Sequence, residues 1–268
     1  MTYISYSQNF EDVMLMRVFG KSVPGLYVDV GAWHPEVDSV TRVFYERGWR
    51  GINLEPNRRY HRLLQQHRPR DVNLNVAAGT EAGVVTFHEM IGSGMSTAHA
   101  VLADRHNRAG HQSRPVKVEM VTLTQVFDTH AAGREVAFLK IDVEGYEQAV
   151  MAGMDWQRHR PVVVLVEAID ALNQQPVWAA WESSLLNNGY LFAWFDGINR
   201  FYVRHESAEL LKHFRSPPNL MDGFQLSRHS PLRPRWRTRI RLQLERRLPS
   251  RLYDGLMKIL GRATSQRP

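Results

Sequence analysis

Short runs of apolar, often β-branched residues recur along this 268-residue chain, and they constrain its fold more than any other feature. Leu26–Val30 is apolar except for Asp29, and Gly51–Glu55, Asp71–Ala78, Val84–His88, Ala137–Val143 and Pro161–Ala168 follow it. Helical stretches separate most of these runs: Ser39–Arg47, Arg58–His67, Tyr146–Met151 and a segment near Trp178–Asn187. Runs of strand length without polar alternation predict strands covered on both faces, hence a mostly parallel sheet. The strand–helix alternation predicts a doubly wound α/β domain. Tyr190–Asp196 and Arg200–Val203 are joined only by Gly197, Ile198 and Asn199, a link that permits nothing but an antiparallel hairpin.

Charge narrows the class of partner. The formal net charge is +7, yet residues 231–268 hold 11 Arg or Lys against 2 acidic residues, and residues 1–230 hold 23 against 25. The basicity belongs to the tail, so a nucleic-acid footprint over the domain is not expected. In the tail, Trp236, Ile240, Leu244, Leu248 and Leu252 recur every four residues among arginines, with Pro249 dividing two short helices. Such a segment can lie on an anionic membrane, dock on a partner or pack on its own domain. The absence of cysteine fits a reducing compartment, and Glu11 and Asp12 spoil the first apolar stretch as a secretory signal. The expected location is cytoplasmic, with peripheral membrane contact through the tail as an addition. Residues 90–115 form a polar insertion with little periodicity, the mark of a functional lid or a mobile loop.

Doubly wound sheets bind ligands beyond the carboxyl ends of their strands. There the chain places Asp29-Val30-Gly31-Ala32, Glu55-Pro56-Asn57, Ala77-Ala78-Gly79, Asp142-Val143-Glu144-Gly145-Tyr146-Glu147 and Glu167-Ala168. Glu55 follows Gly31 by 24 positions, the place from which a carboxylate accepts hydrogen bonds from both ribose hydroxyls of an adenosine; a solvated strand end is the plainer alternative. Pro56 and Asn57 end that strand and cap the next helix. The loop after the first strand has one glycine rather than the three of a dinucleotide fingerprint. One close backbone approach suffices for a ligand without pyrophosphate, which disfavours a nicotinamide or flavin cofactor but not S-adenosylmethionine. Asp142 ends an apolar strand facing the cleft, where it can hold a cofactor amine, a divalent cation or a substrate hydroxyl. Glu144 shares its side of the strand, and Glu167 ends the next strand within reach; these three are the metal candidates. Glu147 fits the first turn of a helix, where the dipole favours an anion. His34 offers an imidazole that titrates near neutrality, a candidate base. Before the first strand, Ser7 is placed to cap a helix with Phe10, Val13 and Met14 inward; Gln8, Glu11 and Asp12 can face the substrate, or Asp12 can be solvated.

Together, SQNFEDVML (7–15), YVDVGAWHPEVDSVTRVFYERGW (27–49), GINLEPN (51–57), FLKIDVEGYE (138–147) and RPVVVLVEA (160–168) resemble the FkbM family of S-adenosylmethionine-dependent methyltransferases over roughly residues 5–205. The resemblance implies a Rossmann-like class I methyltransferase fold, with a seven-stranded, mostly parallel sheet whose last strand is antiparallel. It implies three regions: an N-terminal helical cap (1–25), the methyltransferase domain (26–230) and the basic tail (231–268). It also implies methyl transfer to a hydroxyl of a sugar, a glycan or a secondary metabolite. Gly31 would lie on the methionine part, Glu55 on the ribose, Ala77 near the adenine and Asp142 by the sulfonium. Asp29, Ala32, Pro56 and Asn57 complete the expected cofactor set, Asp142 and His34 are the expected catalytic pair, and Mg²⁺ is a second candidate cofactor. Where many members have Gly-Ala-Asn, this chain has Gly31-Ala32-Trp33-His34-Pro35. A cofactor-binding module without activity and an RNA methyltransferase recruited by the tail are the alternatives.

Overall fold

The apolar runs become the strands of one central sheet. The computed structural model describes residues 2–90 and 94–232. In chain order the elements are β1 (Tyr3–Ser5), α1 (Glu11–Phe19), β2 (Leu26–Val30), α2 (Arg42–Glu46), β3 (Arg50–Leu54), α3 (Arg58–His67), β4 (Val72–Leu74), β5 (Ala77–Ala78), β6 (Gly83–Met90), α4 (Ala100–Arg108), β7 (Ser113–Val121), α5 (Leu123–Val126), β8 (Val136–Ile141), α6 (Glu147–Ala152), β9 (Val163–Glu167), α7 (Glu182–Leu186), β10 (Tyr190–Phe195) and β11 (Asn199–Arg204). The central sheet runs β10-β11-β9-β8-β2-β3-β4. β2, β3, β4, β8 and β9 are parallel, and β11 is antiparallel to both β9 and β10. The chain leaves β2 toward β3 and β4, then returns to β8 on its other side, so the strand order reverses between β2 and β8.

The pleat sends alternate residues into two apolar layers. Val28, Val30, Leu139, Ile141, Val164 and Val166 pack with α5, α6 and Trp181 on one face. Tyr27, Phe138, Val163, Leu165 and Phe201 pack with α1, α2 and Phe214 on the other. That second face also carries a polar row. Asn73, Asn53, Asp29 and Lys140 stand side by side in register on β4, β3, β2 and β8. Asn53 Nδ2 donates to Asn73 Oδ1 at 2.9 Å, and Lys140 Nζ lies 3.3 Å from Asp29 Oδ1.

Arg68, fully buried just past α3, ties this row to the loop after β2. Its guanidinium donates to Thr41 Oγ1 at 2.6 Å, Ser39 Oγ at 2.6 Å and the Pro35 carbonyl at 2.7 Å. Thr41 in turn donates to Asp29 Oδ2 at 2.8 Å. Buried polar groups are tolerated when their partners are supplied in this way.

Several sequence expectations change. The run Asp71–Ala78 divides: β4 lies on the edge of the central sheet, while β5 joins β6 and β7 in a second, three-stranded sheet. The helix expected near Trp178–Asn187 breaks at Trp181, whose φ of −130° is not helical; a 3₁₀ turn precedes it and α7 follows. Ser7 does not cap α1. Phe10 holds that position with φ 65°, and Ser7 Oγ instead donates to Asp12 Oδ1 at 2.7 Å. Asp12 is fully buried rather than solvated, because Ser5 Oγ and the Tyr6 amide also donate to it, at 2.8 and 2.7 Å. The insertion 90–115 contributes α4 and only the Met90–Ser113 end of the antiparallel β6–β7 ladder. The chain divides into two compact units, Met1–Gln225 and Leu226–Pro268. The expected amphipathic helices of the tail lie outside the described residues. Among the described residues no helix is long and apolar enough to cross a membrane.

Arg68→Met would leave Thr41, Ser39 and the Pro35 carbonyl without their donor inside the fold. Removing one partner of a buried charged network costs about 3–5 kcal/mol. Urea unfolding should show that loss for Arg68→Met and less than about 0.5 kcal/mol for the same change at the exposed Arg62.

Candidate active site

A cleft of about 230 Å³ opens at the carboxyl ends of β2, β3 and β8, where the strand order reverses. Its floor is the loop after β2. Gly31 adopts φ +78°, and a Cβ there would strike the Asp142 carbonyl. The sequence suggests that this glycine admits a ligand; the close approach is instead between the two loops that flank the strand-order switch. The Gly31 and Ala32 amides both donate to the Leu54 carbonyl at 3.1 Å.

Glu55, just past β3, is buried in the wall of the cleft. One carboxylate oxygen accepts from the Trp33 amide at 2.7 Å and the other from the Asn57 amide at 2.8 Å. Burial pushes its carboxyl up to about 7; these two amides pull the other way. A carboxylate offers about four acceptor directions, so both oxygens keep one for a ligand diol. Asn57 caps α3 as expected, its side chain accepting from the Arg59 amide at 3.0 Å. Pro56, Ala77, Ala78 and Phe87 give this end of the cleft an apolar wall. Trp33 closes it with φ 46°, its ring 5.6 Å from Tyr60, and its buried indole N–H has no hydrogen-bond partner among the described residues. Residues 94–96 and 98 of the polar insertion also line the cleft, latched by the bond from Thr97 Oγ1 to the Glu144 carbonyl at 2.7 Å.

The opposite end is built around Lys140. Its buried ammonium lies 3.1 Å from Asp142 Oδ2 and 3.3 Å from Asp29 Oδ1, and it donates to the Gly31 carbonyl at 3.2 Å. Burial works against that charge, but Asp142 and Asp29 outweigh it and raise the lysine pKa. Sequence reasoning misses Lys140, although a lysine inside the apolar run FLKI, two residues before an aspartate, is the available signal.

Asp142 lies one residue beyond β8, and Glu144 follows in the left-handed region with φ 54°. These two therefore occupy a loop rather than one side of a strand. Even so, Asp142, Glu144 and Glu167 each bring a carboxylate oxygen to within 4.8 Å of the others. Burial first, then the neighbouring carboxylates, pushes Glu144 and Glu167 well above the usual carboxylate range. Glu147 closes the loop on itself, accepting from the Val143 and Gly145 amides at 3.2 and 3.1 Å.

His34 does not line the cleft. Its Nδ1 accepts from the Glu36 and Val37 amides, each at 3.0 Å, which folds the loop after β2 and occupies the nitrogen a base would use. Gln8 and Glu11 do line it. Glu11 is fixed by the Asn9 amide at 2.8 Å and by Asn199 Nδ2 at 2.9 Å, and Asn199 is in register with Glu167. Asn9 Nδ2 also donates to the Asp196 carbonyl at 2.9 Å, so the N-terminal segment and the β10–β11 turn meet at this end.

A family model described as the methyltransferase FkbM domain matches residues 29–192, which include every residue of the β2, β3 and β8 loops described above. No curated protein and no solved structure matches the chain.

Glu11, Glu55 and Glu147 all have pKa values raised by burial from 4.5 to about 7. A carboxyl that binds its proton more tightly when folded contributes stability that is fully present below about pH 4.5 and is lost as pH rises through about 7. The melting temperature of the ligand-free protein should therefore fall between pH 5 and pH 8. Glu55→Gln, which cannot ionise, should flatten that slope; a melting temperature that climbs across this window contradicts the assignment.

Proposed function

Because the chain belongs to the FkbM methyltransferase family, we propose that it is an S-adenosylmethionine-dependent O-methyltransferase acting on a hydroxyl of a sugar, a glycan or a secondary metabolite. One observation carries the reading: the buried Glu55 carboxylate, held by two backbone amides beside an apolar wall, at the strand-order switch. The order β4-β3-β2-β8-β9-β11-β10 with β11 reversed supports a Rossmann-like class I fold.

In this reading Glu55 accepts from the two ribose hydroxyls. Ala77, Ala78 and Phe87 flank the adenine, and the unpartnered Trp33 N–H is a donor within the same wall. Gly31, Ala32 and the Asp29–Lys140 pair support the methionine end. The cofactor supplies a methyl group already activated by its sulfonium. The protein's part is alignment, which in such reactions contributes several kcal/mol, together with removal of one proton. Asp142, fixed by Lys140 at 3.1 Å and partly open to solvent, takes the acceptor hydroxyl proton as the oxygen–methyl bond forms. Glu144 and Glu167 are the next groups able to carry that proton. His34 has no part in this step.

A divalent cation such as Mg²⁺ fits the same three carboxylates, since Asp142, Glu144 and Glu167 form a hard oxygen set of the kind it takes. Held there, it would lower the proton affinity of the acceptor hydroxyl. The same carboxylates disfavour a polyanionic acceptor such as RNA.

The reading is tested by calorimetric binding of S-adenosylhomocysteine and by transfer of labelled methyl to a panel of neutral glycans and polyols. Glu55→Gln should weaken S-adenosylhomocysteine binding about tenfold. Asp142→Asn should leave that affinity within about threefold and lower transfer by roughly 10²–10⁴. Unchanged transfer in Asp142→Asn removes it as the base, and a wild-type protein that does not bind S-adenosylhomocysteine removes the whole reading. If transfer survives exhaustive EDTA treatment, the cation is not required.

A further inference from the structure

The edge of the domain beside the last turn of α1 carries an apolar tip that the fold does not use. Arg17, in the last turn of α1, clamps the segment after residue 213. Its guanidinium donates to both Asp222 carboxylate oxygens, at 2.6 and 2.7 Å, and to the Pro217 carbonyl at 2.8 Å. Inside the clamp, Asn219 caps a 3₁₀ turn over Leu220–Asp222. Its side chain accepts from the Met221 amide at 2.9 Å, and Asp222 Oδ2 accepts from the Asn219 amide at 2.7 Å. The turn is thus fixed from both sides, and it holds Leu220 98% and Met221 93% exposed. Two adjacent large apolar side chains presented to water by a built turn are a recognition feature rather than packing.

The surroundings are basic. Val23, 86% exposed, follows Lys21 by two residues where the chain leaves α1. Lys21, Arg47, Lys212 and Arg215 are exposed, and Arg47 reaches back to the Gly20 carbonyl at 3.0 Å. Arg17 reaches the His213 carbonyl at 3.5 Å, and burial together with the charges of Lys212, Arg17 and Lys21 lowers the pKa of His213. Asp222 is paired with Arg17, Glu206 with Arg160 and Glu46 with Arg42, and Glu209 is a further exposed acid on the neighbouring segment. β11 is antiparallel, so its end at Arg204 lies at the amino ends of the parallel strands, and the chain then passes α1 to reach Phe224, whose ring lies 5.3 Å from that of Phe10.

We propose that this edge docks on an anionic lipid surface, with Leu220 and Met221 inserted at the headgroup level and Lys21, Arg47, Lys212 and Arg215 against the headgroups. A two-residue knob ringed by cations suits a fluid interface, which needs no matching pocket; apolar insertion and electrostatic attraction add in such binding. The sequence after residue 232 adds 11 Arg or Lys against 2 acidic residues, charge of the same sign.

The full-length protein is sedimented at 0.1 M salt with vesicles of phosphatidylcholine alone and of phosphatidylcholine and phosphatidylserine in a 7:3 ratio. Wild type should partition to the anionic vesicles and not to the neutral ones. Leu220→Ser combined with Met221→Ser, both at exposed sites, should keep the wild-type melting temperature and bind the anionic vesicles roughly tenfold more weakly, as expected for withdrawing two large apolar groups from an interface. In Met221→Trp, brominated lipid should quench indole fluorescence beyond the wild-type background. Equal binding by the double variant, no added quenching, or indifference of the wild type to the anionic lipid would each overturn the proposal; the last would direct attention to a protein partner for the tip.

Discussion

One buried ammonium governs the arrangement. Lys140 joins the Asp29 carboxylate of β2, the Asp142 carboxylate beyond its own strand and the Gly31 carbonyl between them. Burying such charges is expensive unless each finds partners, and the fold supplies them: Thr41 occupies the other Asp29 oxygen, and Arg68 holds Thr41. The row also fixes register. A slip of β8 by one residue would turn Lys140 into the apolar layer of Val28, Leu139 and Val164 and leave Asp29 alone in the other. The strand pair that forms the floor of the cleft can therefore assemble in one alignment.

From that floor the cleft takes on two characters. Around Glu55 it is apolar, with a single carboxylate held by backbone donors. Around Asp142 it is rich in carboxylates that burial and mutual repulsion keep above their ordinary range. An adenosine suits the first surroundings, and proton removal or a divalent cation suits the second. Lys140 stands between the two and braces both, through Asp29 on one side and Asp142 on the other.

Much of the fold is legible in the sequence because strands buried on both faces announce themselves: Leu26–Val30 occupies its expected residues, and the short link through Gly197 betrays the edge hairpin that Tyr190–Phe195 forms with β11. The Asp71–Ala78 run misleads because its apolar content says nothing about which sheet each half joins. Glu55 and Asn57 are legible from spacing and capping chemistry. Asp12 and His34 are not, since each is decided by amides brought to it in loops whose path the sequence does not specify. The polar row is hidden for a different reason. Asp29, Asn53, Asn73 and Lys140 each look like a lone blemish in an apolar run, and their meaning emerges only when four strands lie in register.

The carboxylate end of the cleft is closed by Asn9 and Glu11 meeting Asp196 and Asn199. These partners come from opposite ends of the domain sequence, while the Gly31, Glu55 and Asp142 loops come from its middle. As the chain leaves the ribosome, the Glu55 half of the cleft can form while the other half still waits for β10 and β11. The order of synthesis therefore leaves the carboxylate end of the cleft open until nearly two hundred residues have emerged.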